Sequence, residues 1–152
     1  MTQAKIVVDT DSIAASSFGP ATGGVWIEIG SEAFPCEDWS DFVVVVLETM
    51  VTAVVRLLSG ASDKERIHFM EGPYALDLSR LPGRSLQVHA IERRRTDVVQ
   101  ASMDIGAGVF AEELLGRVEQ VVTVCRERDI WSDDADKLQA ALAVLRGELL
   151  KL

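Results

Sequence analysis

The sequence predicts an α+β fold. We expect a single two-layer domain over residues 1–152, with an antiparallel sheet of about five or six strands packed by three helices in the order ββα-ββββ-αα. Three observations carry this expectation. Short β-branched runs with Gly- and Pro-containing breaks occupy the first thirty positions and recur between 66 and 103. Between them lies one long apolar segment with a narrow polar stripe. The final third places its apolar residues at helical spacing. A chain of 152 residues, 48% hydrophobic and 26% charged, can bury a real core and is not of disordered composition.

The elements follow in order. "KIVVDTDSIAAS" is a first strand, and "SSFGPATGG" has the composition of a loop. "VWIEI" alternates, with Val25, Ile27 and Ile29 on one face and Trp26 and Glu28 on the other, so the two strands are expected to pair as a hairpin. Pro35 closes that region, and Asp38 or Ser40 is placed to cap a helix whose first turn is acidic. The polar residues Asp41, Glu48, Thr52 and Arg56 fall near one line of a helix and nearly everything else from Phe42 to Leu58 is apolar, which predicts a helix covered on most sides. The segment is too short and too charged to be read as a membrane span. "SGASD" ends it.

"RIHFM", "YALDLS" and "SLQVHAIE" are three strand-like runs separated by "EGP" and "LPGR", and "DVVQASM" is a fourth after the polar "RRRTD" tip. A simple meander through those turns puts His68 and His89 on opposite faces. From Ala107 to Arg128 the residues Phe110, Leu114, Val118, Val121, Val122 and Cys125 share a helical face, and Glu113 and Arg117 are spaced as an i,i+4 ion pair. "DIWSDDAD" breaks and caps a last helix, with Leu138, Leu142, Leu145, Leu149 and Leu152 on one stripe.

Chemistry is harder to find. Glu37, Asp38 and Asp41 flank Trp39, and paired carboxylates can hold a cation or act as acid and base. No further oxygen ligands or nucleophile accompany them, and helix capping accounts for them. Cys125 lies on an apolar stripe, and Cys36 has no histidine near it in sequence. GxSxG, HExxH and phosphate-cradling loops are absent. The sequence therefore predicts no catalytic residue, no metal ligand and no cofactor. With no apolar stretch of signal-peptide length near the start, the expected address is the cytoplasm. At "MEGPY", Pro73 after Gly72 forces a sharp turn, leaving Glu71 and Tyr74 either available to a partner or packed on the sheet.

Charge is distributed unevenly. The net charge is −9, and Ile6 to Val55 contains no Lys, Arg or His. Asp9, Asp11, Glu28, Glu32, Glu37, Asp38, Asp41 and Glu48 fall in that stretch, so it carries −8 of the −9. Arg80 to Arg95 holds five arginines, the only short basic cluster. That footprint is small for nucleic acid, whereas an acidic face suits a basic protein partner.

Together "FPCEDWSDF" and "HFMEGPYALDL" present an FP, a W-x-D-F helix start and a later F-x-[DE]-G-P-Y after a short strand. This combination resembles small bacterial immunity proteins of contact-dependent inhibition and other polymorphic toxin systems. The resemblance covers residues 24–90, with Glu71 standing where Asp is the usual residue. It implies a cytoplasmic, non-catalytic protein that binds a cognate toxin domain, such as a basic nuclease, and occludes its active site. The candidate contacts are Glu37, Asp38, Trp39, Asp41, Glu71 and Tyr74. The alternative is a non-catalytic structural or adaptor subunit of a homo- or hetero-oligomer.

Overall fold

The computed structural model describes residues 4–17 and 19–152. Phe18, within the expected first loop, and residues 1–3 lie outside the described residues. The chain runs β1 (Ala4–Ser16), β2 (Gly19–Ile29), β3 (Glu32–Phe34), β4 (Ser40–Asp41), α1 (Val43–Ser59), β5 (Lys64–His68), β6 (Tyr74–Leu81), β7 (Ser85–Glu92), β8 (Val98–Gly106), α2 (Ala107–Glu127) and α3 (Asp133–Leu150). The class is α+β with three helices, as the sequence predicts. The strands form two antiparallel four-stranded sheets rather than one sheet of five or six. The additional strands, β3 and β4, lie in a segment too short and too polar to signal strand from pattern. Both pair with β2 and together make a broken edge strand.

The first sheet rests on the β1–β2 hairpin, in register from Ala4↔Ile29 to Asp9↔Gly24. Beyond Asp9 the register shifts, and Thr10 to Ile13 form a bulge in β1 whose Ile13 is buried in the core. Ser12 Oγ fills the gap in the ladder, donating to the Asp9 carbonyl at 2.7 Å and accepting from the Gly24 N–H at 2.8 Å. Arg128 braces the bulge by donating to the Thr10 and Ile13 carbonyls. "GPATGG" is thus strand, not loop. Gly23 is needed because a Cβ there would stand 2.9 Å from the Ile13 side chain.

The second sheet is a meander, β5-β6-β7-β8. Ile67, Leu76, Leu78, Val88, Ala90 and Met103 are buried on its inner face. Arg66, Asp77, His89 and Ser102 form a row across the outer face. Pro82, Gly83 and Arg84 separate the paired residues Leu81 and Ser85, an odd-length turn with Gly83 and Arg84 in the left-handed region. That odd count inverts the parity of a simple meander. His68 and His89 consequently share the outer face, against expectation.

Helix α1 is the centre of the core. Val43, Val44, Val46, Leu47, Met50, Val51, Ala53, Val54 and Leu57 are buried, and the helix packs on β2, β5, α2 and α3. Of the predicted stripe, Glu48, Thr52 and Arg56 are its wet side, whereas Asp41 lies in β4 and is buried. Thr52 donates to the Glu48 carbonyl, and Arg56 Nε meets Glu65 at 3.1 Å. Gly60 ends the helix in the left-handed conformation. On α2 the predicted apolar face is buried, but Glu113 does not pair with Arg117. Its Oε1 accepts the Ile6 N–H on edge strand β1 at 3.1 Å. On α3, Ser132 caps the first turn, and Leu138, Leu142 and Leu145 are buried. Leu152 lies beyond the helix and is exposed. Core side chains from both sheets and all three helices form one hydrophobic cluster. Among the described residues no helix is long and apolar enough to cross a membrane.

Candidate functional site

The acids at 37–41 part company in three dimensions. Neither Asp38 nor Ser40 caps α1: the N-cap is Phe42, and no side chain caps the helix. Asp38 sits in the Pro35–Trp39 loop with φ 61, and Ser40 pairs with Gly24 in the β2–β4 ladder. The ladder continues through the Val25 N–H, which donates to the Trp39 carbonyl at 2.8 Å.

Asp41 is only 1% exposed. Its Oδ1 accepts the Phe42 N–H at 2.7 Å, and its Oδ2 accepts the Trp39 indole N–H at 3.0 Å. The Met70 N–H reaches both oxygens, at 3.2 and 3.0 Å, and the Glu71 N–H reaches Oδ2 at 3.3 Å. A buried carboxylate is tolerated only when its charge is compensated, and four N–H donors do so here without a cation. The side chain therefore fastens the β5–β6 turn to the entry of α1. It offers no oxygen to a partner, which removes Asp41 from the expected contact surface.

Above this anchor four aromatic rings interlock edge to face. Phe34 meets Phe69 at 5.8 Å and 76°, and Tyr74 at 5.6 Å and 88°. Trp39 meets Tyr74 at 5.3 Å and 87°. Such arrangements match the positive ring edge to the negative ring face. Gly72 passes beneath them, where a Cβ would stand 2.9 Å from the Trp39 ring and 3.1 Å from the Tyr74 ring. The two sequence segments "FPCEDWSDF" and "HFMEGPYALDL" are thus halves of one tertiary contact. Arg93, part of the polar "RRRTD" tip in the sequence, completes it: its N–H donates to the Pro73 carbonyl at 2.6 Å and its Nη2 to the Gly72 carbonyl at 3.2 Å.

Around the anchor, Glu37, Asp38 and Glu71 are exposed, and Trp39 and Tyr74 are half-buried. Glu37 and Asp38 lead into Trp39, and Glu71 precedes the glycine that Trp39 covers, so three carboxylates border one aromatic patch. Met70 joins it, 41% exposed. Nothing in the local sequence singles out Met70, because its exposure follows from Asp41 gripping its backbone.

The five arginines between 80 and 95 do not form a basic cluster. Arg80 and Arg84 lie at one end of β6 and β7, and Arg93 to Arg95 at the other, a strand's length of roughly 25 Å away. On the outer face of the second sheet, Arg66 makes a bidentate contact with Asp77, at 2.6 and 2.8 Å, and reaches Asp97 at 2.9 Å. Burial, with Arg93 and Arg66 adding like charge, holds the His68 pKa below its ordinary value. Cys36 is exposed, whereas Cys125 is buried and burial pushes its thiol pKa up. Among the described residues no group of three or more His, Cys, Asp or Glu could hold a metal ion.

Comparison of the chain with protein-family models, with curated proteins and with solved structures gives no match.

Proposed function

We propose that this protein is a stoichiometric inhibitor of the immunity type, which binds a basic toxin domain in the cytoplasm and covers its active site. The observation that carries the proposal is the charge segregation as it falls on the surface. Of the eight acids between Ile6 and Val55, Asp9, Asp11, Glu32, Glu37 and Asp38 are exposed and Glu28 and Glu48 half-buried. Among the described residues only Asp11 is in an ion pair, with Arg128 at 3.8 Å, and Asp11 is itself 99% exposed; Lys5 stands opposite Glu28 across the β1–β2 ladder without such a pair. Carboxylates in this state act on a basic partner much as the phosphates of a nucleic-acid substrate would. They speed encounter through long-range attraction. The patch of Trp39, Tyr74 and Met70, bordered by Glu37, Asp38 and Glu71, supplies the apolar contact that charge alone lacks.

The first test is a pull-down with the product of the gene directly upstream, where the gene of a cognate toxin belongs on this reading. The second is surface plasmon resonance on the variant Glu37→Gln/Asp38→Asn/Glu71→Gln, with Asp41 left intact to preserve the fold. The association rate should fall about tenfold at low salt, with the difference shrinking as the Debye length drops to about 8 Å near physiological salt. An unchanged association rate removes this patch from the interface, and no binding to any neighbouring gene product removes the immunity reading. A second reading, as a subunit that buries apolar surface in an oligomer, draws on the exposed aliphatics Val109, Val144 and Leu150 of α2 and α3. A monomer by light scattering would oppose its homo-oligomeric form.

A further inference from the structure

At the far end of β6 and β7 from the aromatic patch, a cleft of about 600 Å³ opens between the end of α1, the β6–β7 turn, the start of α2 and the end of α3. This is the size of a small-molecule site. Its accessible apolar lining is Leu58 and Leu81, both half-buried, and Leu152, 50% exposed, over a buried base of Leu57, Leu86 and Ala107. Its rim is cationic, with Arg80, Arg84 and Lys151 set against the single acid Glu148. In a chain of net charge −9 that excess is out of character.

The rim cations are only partly committed elsewhere. Lys151 is tied to Glu148 at 3.1 Å, and Arg80 has a loose, solvent-exposed pairing with Asp63 at 3.7 Å. Arg84 has no ion pair among the described residues. Its backbone is held in the left-handed region, and its carbonyl accepts the Ala107 N–H at 2.8 Å. The backbone of this uncommitted arginine is thereby fixed beside the first turn of α2. Gly106, the N-cap of α2, has no side chain to offer that turn, so the positive end of the helix dipole adds to the potential at the rim.

We propose that this cleft binds a small amphiphilic monoanion, a carboxylate on an unbranched aliphatic body. The aliphatic part lies on Leu58, Leu81 and Leu152, where its burial drives association. The carboxylate meets Arg84, with Arg80 as the second donor, because a planar guanidinium matches a carboxylate with two parallel hydrogen bonds. Among the described residues no aromatic ring lines the cleft, so it lacks the ring platform on which nucleobases and sugars are usually held. This site is independent of the toxin-binding proposal and of the acidic surface.

The test is a ¹⁵N–¹H NMR titration of the full chain with octanoate, using octanol and acetate as comparison arms. Saturable shifts confined to the amides of residues 57–59, 81, 83–86 and 107–109 are expected. Octanoate should bind at least tenfold more tightly than octanol, which lacks the charge, and than acetate, which lacks the tail. Arg84→Asn keeps a residue that tolerates the left-handed backbone and should weaken octanoate at least fivefold, with the rest of the spectrum unmoved. Shifts that do not saturate, shifts centred elsewhere, equal affinity for octanol, or an Arg84→Asn variant that binds as wild type would each overturn the proposal.

Discussion

Removing the Asp41 carboxylate should damage this fold more than removing any other acid in the first third of the chain. In Asp41→Ala four N–H groups lose their acceptor at a site 1% exposed. The donors are not equivalent. The Phe42 amide and the Trp39 indole belong to half-buried residues, so they bear much of the desolvation cost of an unmade bond to a charged group. Met70 and Glu71 are exposed, and their amides can recover water if the turn lifts. About 3–5 kcal/mol is expected in all, a large share of the 5–15 kcal/mol that stabilises an ordinary domain. For a chain of this length that lowers Tm by about 10 °C. Asp41→Asn keeps the shape but turns an NH₂ group toward donors, so it should lose about half as much. Urea unfolding followed by circular dichroism measures the loss, and tryptophan fluorescence reports the release of Trp39. Glu37→Gln, exposed and without a hydrogen bond to lose, is the control. If Asp41→Ala fell within 0.5 kcal/mol of that control, a typical surface effect, the anchoring role of Asp41 would be refuted.

Gly72→Ala drives a methyl group into Trp39 and should destabilise by about 1–3 kcal/mol in the same unfolding assay, with a shift in the tryptophan emission. Leu57→Asp buries an unpaired charge at a 1% exposed position and should abolish folding, whereas Thr52→Ala on the wet stripe should cost within about 1 kcal/mol; far-UV circular dichroism separates them. A thiol reagent should titrate Cys36 at once in the native protein and Cys125 only after denaturation. The His68 pKa is lowered on folding, so protonation favours the unfolded chain. Its effect is absent well above the ordinary histidine pKa of 6.5 and costs stability as pH falls through that value to the folded one. His68→Gln should therefore lose less stability than wild type between pH 7 and pH 5 in parallel urea titrations.

The sequence by itself determined most of the elements, β3 and β4 excepted. Apolar period, β-branched runs and Gly or Pro breaks act over a few residues, and α1, α2, α3, the β1–β2 hairpin and the β5–β8 strands all fall where those local signals place them. The long-range decisions were different in kind. Asp41 has the local context of a helix-start acid, but its partners Met70 and Glu71 arrive from another sheet, and only the packed turn reveals that it is a buried acceptor. The same turn accounts for Gly72 and for the exposure of Met70. Arg80 and Arg95 belong to one run in sequence but to opposite ends of the β6–β7 strands, because an extended strand carries its ends apart. His68 and His89 share a face because one turn has an odd number of residues, a parity that hydrophobic pattern does not encode. "GPATGG" has a loop's composition and forms strand because Ile13, displaced by the bulge, needs the space that Gly23 leaves. Charge segregation was legible from the sequence alone. Which carboxylates face solvent and which holds the core together depended on contacts across the fold, since the burial of a charge is decided by the donors that surround it.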